Sequence, residues 1–228
     1  MAGPQVAEHA LLLALGALRG ISHWRSYIQS VNGDLRYQAA ELGTESLYGR
    51  RVGLHGFGRI ARSLVALLRP FGVIVCCYSA HVPPAFLREH GVHPCASMEE
   101  LFSSSEVFFE CEALTSESTR SVTADLLRRL PDGAVFVNVG RGAVVDEEAL
   151  LSEAGRLRVA LDVVTREPLD SISPWFNSPQ TLLSPHIGGP TFDSYASCGQ
   201  FALTNLHAFL KGRPVQALLS LADYDRST

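Results

Sequence analysis

A glycine-spaced turn set between a strand-like and a helix-like apolar run constrains this chain more than any other feature. Residues 54–61 read Leu-His-Gly-Phe-Gly-Arg-Ile-Ala, after the entry Arg51-Val52-Gly53-Leu54 and before Ser63-Leu64-Val65-Ala66-Leu67-Leu68. Gly56 permits a tight turn after the strand. Gly58 lets the backbone approach a pyrophosphate. Ala61, in the place of a third glycine, is small enough for the helix to pack on the strand. The helix N-terminus then presents free N–H groups and a positive dipole end to phosphate. Taken alone, such a turn also serves as a plain connection, so its meaning depends on the residues downstream.

Downstream, two kinds of apolar segment alternate. Short continuous apolar runs at 51–55, 73–78, 106–110, 134–138, 158–161 and 181–183 read as strands. Between them, 58–69, 83–90, 98–103, 119–129 and 146–154 read as helices. Strands that are apolar throughout, rather than alternating, belong to a sheet covered on both faces. This rhythm predicts an α/β fold with a doubly wound parallel sheet, and ligand at the carboxyl ends of its strands. Before it, Val6, Ala10, Leu13, Ala14, Ala17, Leu18 and Ile21 recur at helical spacing, which predicts one helix over about 5–29, apolar on two sides. Residues 30–49 read as a loop. A last helix is expected over about 190–211, stopped at Lys211-Gly212-Arg213-Pro214, with a loosely held tail at 215–228.

Charge and cysteine usage narrow the classes. The 228 residues carry a net charge of −4, which offers no basic field for nucleic acid or an anionic membrane. Five scattered cysteines (Cys76, Cys77, Cys95, Cys111, Cys198) form no CxxC and no metal spacing; they read as reduced thiols of a cytoplasmic protein, with no metal site. The apolar run Ala10–Leu18 has no Lys or Arg before it and is too short to span a bilayer, so it reads as a buried helix, not a signal peptide.

Polar groups stand just past several apolar strands. After the second come Tyr78-Ser79-Ala80-His81, with no acidic residue where one normally receives the adenosine ribose of NAD; Ser79 and His81 therefore leave NAD and NADP both open. Arg141 stands between Gly140 and Gly142 after 134–138, and its planar fork suits a carboxylate. Asp162 and Glu167 follow 158–161. His186 follows 181–183, where a neighbouring carboxylate would orient it as a proton donor. Each has an ordinary structural reading as a surface or turn residue; arginine, carboxylate and histidine on successive strand ends beside a glycine turn are more specific together.

With these residues the chain, from about Val6 to Arg213, resembles the D-2-hydroxyacid dehydrogenase family. The resemblance is carried by Val6-Ala7-Glu8-His9-Ala10, the glycine turn, Val137-Asn138-Val139-Gly140-Arg141-Gly142-Ala143-Val144-Val145-Asp146-Glu147, Leu161-Asp162-Val163 with Glu167-Pro168, and Ser184-Pro185-His186-Ile187-Gly188-Gly189. It implies a Rossmann-like nucleotide-binding domain. It implies hydride transfer between NAD or NADP and a small 2-hydroxy or 2-keto acid. Arg141 is then expected to bind the acid's carboxylate and polarise its carbonyl, His186 to act as acid and base, and Glu167 to hold and charge His186. Asp162 is expected near the nicotinamide carboxamide, and Arg59 and Ile60 are expected to give amides to the pyrophosphate. Gly56, Gly58, Val139, Gly140 and Gly188 would complete the cofactor cradle, and a homodimer would form through the first helix.

The chain also departs from that pattern. Members carry a long segment before the helix that begins here near residue 5, and it forms most of their substrate domain. The resemblance therefore divides this chain into a dinucleotide-binding domain at 1–190 and a remnant of the substrate domain at 191–228, leaving the apolar side of the last helix (Phe201, Leu206, Phe209) uncovered. The 152–155 region is trimmed. Glu110-Cys111-Glu112-Ala113-Leu114-Thr115 replaces a His and a Pro frequent before Leu-Thr, and puts the charge of Glu112 towards the cofactor. A non-catalytic dinucleotide-binding module, or a fragment without activity of its own, remain the rival readings.

Overall fold

The computed structural model describes residues 3–31, 43–178 and 180–221. Seven parallel strands form one sheet: β1 (Arg51–His55), β2 (Ile74–Tyr78), β3 (His93–Pro94), β4 (Val107–Glu110), β5 (Val135–Asn138), β6 (Arg158–Leu161) and β7 (Leu182–Leu183), in the order β3-β2-β1-β4-β5-β6-β7. The chain winds outward from β1 to β3, then returns to β4 and winds the other way, so the topological switch lies between β1 and β4. In sheets of this kind the crevice at that switch takes the ligand.

Burial explains why the strands lack alternation. β4 and β5 are buried at every position, with core on both faces. On one face, α3 (Arg59–Leu68) turns Ala61, Leu64, Val65 and Leu68 inward, and α1 (Gly3–Arg19) packs on α3 and across β5 and β6. Ala7, Ala10, Ala14, Gly16 and Ala17 keep that approach close; a Cβ on Gly16 would lie 3.0 Å from Leu182 Cδ1. On the other face, α5 (Met98–Ser104), α6 (Ala124–Leu127) and α7 (Glu147–Glu153) cover a core in which Phe108 stacks on Phe136 with centroids 5.3 Å apart. α4 (Pro84–Glu89) lies between β2 and β3.

The expected elements stand, with three corrections. The first helix is not continuous to 29. It ends at Arg19, where Gly20 takes φ 64° and the Trp24 indole donates to the Arg19 carbonyl at 3.0 Å; a 3₁₀ turn and α2 (Trp24–Ser30) come next. A left-handed residue cannot sit within a right-handed helix, and glycine adopts it freely. The expected helix at 119–129 is only Ala124–Leu127. Arg120 takes φ 51°, and Val122 is drawn into a parallel bridge with Val145 before Thr123 caps the short helix. The last helix, α8 (Tyr195–Leu210), begins after a 3₁₀ turn at Phe192–Ser194. β3 was not foreseen; at two residues and containing a proline, it suits a sheet edge. Most of the loop at 30–49 and the end of the tail at 215–228 lie outside the described residues.

α8 buries none of its residues; of the three apolar side chains expected to be uncovered, Leu206 and Phe209 are exposed and Phe201 is partly buried. No described helix is long and apolar enough to cross a membrane.

Candidate active site

The glycine turn has the geometry that a phosphate cradle needs. Gly56 takes φ 83°, and a Cβ there would lie 2.8 Å from Glu112 Cα, so both conformation and space demand glycine. A Cβ on Gly58 would meet no atom within 4 Å, so the surface above the turn is open. Gly58 is the N-cap of α3 and supplies no side-chain cap, which leaves the amides of the first turn, Arg59 and Ile60 among them, to an outside acceptor. These features fit a dinucleotide pyrophosphate.

The second part is a hydrogen-bonded histidine–carboxylate pair. His186, beyond β7, takes φ 54°, which is costly for a residue with a Cβ and concentrates at functional sites. Its Nδ1 lies 2.6 Å from Glu167 Oε2. The other oxygen, Oε1, accepts from the Val164 amide at 3.2 Å, so Glu167 is itself fixed to its loop. Both side chains are partly exposed.

Behind His186 lies a network built on Asp162. Its Oδ1 accepts from Ser184 Oγ at 2.6 Å and from the Ile187 amide at 3.0 Å, and its Oδ2 accepts from the Gly188 amide at 2.9 Å. His9 Nε2, from α1, lies 2.8 Å from Ser184 Oγ and 3.3 Å from Asp162 Oδ1. A Cβ on Gly188 would lie 2.9 Å from Asp162 Oδ2 and 3.2 Å from His9 Cδ2. The carboxylate at 4% exposure therefore anchors the 184–188 turn on both sides of His186.

Arg141 is exposed, and its Nη1 donates to the Gly140 carbonyl at 2.8 Å. Its loop is shaped from below by Asn138, buried at the end of β5: Oδ1 accepts from the Gly140 amide at 3.0 Å and Nδ2 donates to the Arg141 carbonyl at 3.2 Å. A Cβ on Gly142 would lie 2.0 Å from the Val164 carbonyl carbon. That contact joins the Arg141 loop to the loop of Glu167. Val139 and Gly140 are buried there, Gly140 against the Glu112 carbonyl.

Ser79 and His81 stand apart, past β2. His81 Nε2 faces Glu117 Oε2 at 3.5 Å, with both side chains exposed. Glu112 adjoins the glycine turn, where its Oε1 accepts from the Ala113 amide. Four positioning residues were not singled out from sequence. His9 lies in a motif that gave it no role. Asn138, His55 and Glu110 each end an otherwise apolar strand, the one signal that marks them. Among the described residues, no cluster of His, Cys, Asp or Glu is arranged to hold a metal ion.

Comparison with known proteins shows the family to which the chain is similar. The family model for the NAD binding domain of D-isomer specific 2-hydroxyacid dehydrogenases matches residues 11–188. The D-3-phosphoglycerate dehydrogenase of Mycobacterium leprae is 31% identical over 209 residues, covering 90% of this chain and 38% of that protein. The glyoxylate reductase of Thermococcus kodakarensis is 31% identical over 177 residues, covering 76% of this chain and 53% of its own length. A solved glyoxylate reductase from Paecilomyes thermophila superposes with a TM-score of 0.81 at 28% identity, covering 98% of this chain and 66% of that one. The chain thus spans about half or less of the length of these two curated relatives.

Proposed function

Because this chain belongs to the D-isomer-specific 2-hydroxyacid dehydrogenase family, we propose that it forms the dinucleotide-binding half of an oxidoreductase interconverting a small 2-hydroxy acid and its 2-keto acid. The observation that carries the reading is the His186–Glu167 pair at 2.6 Å, held at a strand end on the loop system that Gly142 ties to Arg141. Bound NAD or NADP supplies or accepts the hydride. The chain's own residues supply position, charge and a proton.

Arg141 presents a guanidinium at the cleft and binds the substrate carboxylate, drawing electron density from the adjacent carbonyl. His186, with Nδ1 on Glu167, turns Nε2 to the substrate oxygen and gives it a proton during reduction. In oxidation the same nitrogen takes the proton back. Glu167 compensates the imidazolium while it exists. Asp162, Ser184 and His9 keep the His186 turn rigid, and the free amides of Arg59 and Ile60 take the pyrophosphate. The exposed residues Leu12 of α1 and Trp24 and Ile28 of α2 are the surface on which a homodimer is expected.

The test is keto-acid-dependent oxidation of NADH or NADPH, with glyoxylate and hydroxypyruvate as substrates. It is run on this chain and on a version joined to a relative's substrate domain. Arg141→Ala, Glu167→Ala and His186→Ala should each lower turnover by about 10²–10⁴-fold. Unchanged turnover in all three would sink the assignment. NADH binding without turnover in the joined version would favour a non-catalytic dinucleotide-binding module.

A further inference from the structure

A row of polar side chains crosses the floor of the cleft and takes no part in the chemistry above. In the sheet register His55 is paired with Tyr78 on one side and Glu110 on the other, and Glu110 is paired with Asn138. These are the last residues of β2, β1, β4 and β5, at one level of a parallel sheet and on one face. The centre of the row is a histidine beside a carboxylate. His55 Nδ1 lies 2.7 Å from Glu110 Oε2, at 5% and 0% exposure. His55 immediately precedes Gly56, and the pair occupies the topological switch between β1 and β4. A parallel sheet covered on both faces normally places apolar residues here, because desolvating two charges is expensive.

The second oxygen of Glu110 shows what the pair holds. Oε1 accepts from the Glu112 amide at 2.9 Å. The Glu112 backbone is the segment that a Cβ on Gly56 would strike, and its carbonyl lies 3.0 Å from where a Gly140 Cβ would be. One buried carboxylate therefore bridges the strand that feeds the glycine turn and the turn that packs against it.

We propose that His55 and Glu110 are a positioning pair for the dinucleotide, which clamps the 110–113 turn against the glycine turn and ties dinucleotide affinity to the protonation of His55. The inference rests on the glycine turn being the dinucleotide site. With His55 protonated, the charges on the cleft floor cancel. With His55 neutral, Glu110 stands uncompensated beside Glu112, under the place where an anionic pyrophosphate binds. Burial lowers the His55 pKa, but the charge of Glu110, its hydrogen bond and the charge of Glu112 outweigh burial and raise it above the ordinary 6.5. Glu110 thus favours the protonated form of His55.

The other groups around His55 are few. Tyr78 and Cys76 lie on the same face of β2; Cys76 is drawn down to about 7 by a hydrogen bond with Cys95 and so titrates nearby. Glu100 of α5, which packs over β1 and β2, acts on Cys76. Cys77 and Cys111 are pushed up by burial and remain thiols. Asn138 carries no charge.

The experiment measures the Kd of NADH by fluorescence titration of the 228-residue chain from pH 6 to 10, on a Cys76→Ser background. His55 is followed in the same samples by histidine NMR. NADH affinity should fall about tenfold as His55 loses its proton, the effect of one unit charge over roughly 10 Å at an effective dielectric near 20. Glu110→Gln removes the charge but keeps the shape, and should move the His55 titration and the affinity limb together to lower pH. His55→Leu/Glu110→Leu, which leaves no buried charge unpaired, should bind NADH without that limb. Affinity that is flat through the His55 titration, or a limb that survives in the double variant, would overturn the proposal. A folded chain that binds no NADH at any pH would instead overturn the dinucleotide reading beneath it.

Discussion

The Gly142 backbone lies against the Val164 carbonyl so closely that a Cβ on Gly142 would sit 2.0 Å from the carbon and 2.2 Å from the oxygen. Neither atom belongs to a side chain that can turn away. Gly142 follows the arginine expected to bind substrate, and Val164 gives its amide to Glu167. Gly142→Ala must therefore separate the two loops. A loss of about 3 kcal/mol or more in stability is expected, at the upper end of overpacking costs, because backbone has to move. Urea denaturation measures it; a loss below about 1 kcal/mol would mean that the loops are not tightly docked.

Asp162 fixes the turn that keeps His186 at φ 54°. Asp162→Ala would leave the buried Gly188 amide and the Ile187 amide without their acceptor and would take its 2.6 Å acceptor from the Ser184 hydroxyl. An expected cost of about 3 kcal/mol follows from lost hydrogen bonds to a charged group and the donors left behind. Asp162→Asn keeps one acceptor oxygen and should cost less. In the version joined to a substrate domain, both should lower turnover, because His186 is then free to leave Glu167. Turnover at the parent level in Asp162→Ala would show that His186 holds its place without the turn.

The fold was legible because its signals are local. Apolar runs of strand length, glycine after β1 and the spacing of α3 each state their own structure. Where the reading failed, a single backbone conformation decided the outcome. Gly20 at φ 64° ended a helix whose apolar spacing continued to Ile21, and Val122 left a helical run to pair with Val145. The candidate site was legible as residue types on strand ends, since Arg141, Glu167 and His186 follow β5, β6 and β7. The contacts that hold them were not, because they join residues far apart in the chain: His9 with Ser184, Gly142 with Val164 and His55 with Glu110. No spacing rule connects such pairs before the sheet order is known.

The stability contributed by the His55–Glu110 pair should fall on the alkaline side, and the sign is set by His55. Its pKa is raised in the folded chain above the 6.5 of an unfolded histidine. The folded state thus binds the proton more tightly, and the contribution is fully present below about 6.5 and lost as pH rises through the folded value. Thermal melts at constant ionic strength should show Tm falling across that interval on the Cys76→Ser background, which removes the opposite contribution of a thiol lowered to about 7. The fall should be absent in His55→Leu/Glu110→Leu. A Tm that rises from pH 7 to 9 on that Cys76→Ser background would contradict the pair. At acid pH, Asp146 acts in the opposite sense. A hydrogen bond from Arg120 and those from the amides of α7 hold its pKa below 3.8, so its contribution is present above that value and lost as pH falls through the lower folded one.

The adenosine ribose decides between NAD and NADP, and it is expected beyond β2, where the chain reads Ser79-Ala80-His81. No carboxylate stands there to accept from a 2′-hydroxyl or to repel a 2′-phosphate. His81 stands beside that position, and Glu117 Oε2 lies 3.5 Å from its Nε2. Both are exposed, so their attraction is weak and easily rearranged. Two substitutions should then act in opposite directions. Ser79→Asp places a carboxylate at the strand end and should weaken NADPH binding by about tenfold or more relative to NADH, since a phosphate beside a carboxylate loses at least about 1.4 kcal/mol. Glu117→Gln removes the carboxylate beside His81 and should strengthen NADPH relative to NADH by a few-fold. Fluorescence titration with both nucleotides, at low and high salt, measures the two ratios. Should Ser79→Asp leave the ratio unchanged, the ribose is bound elsewhere than at the end of β2.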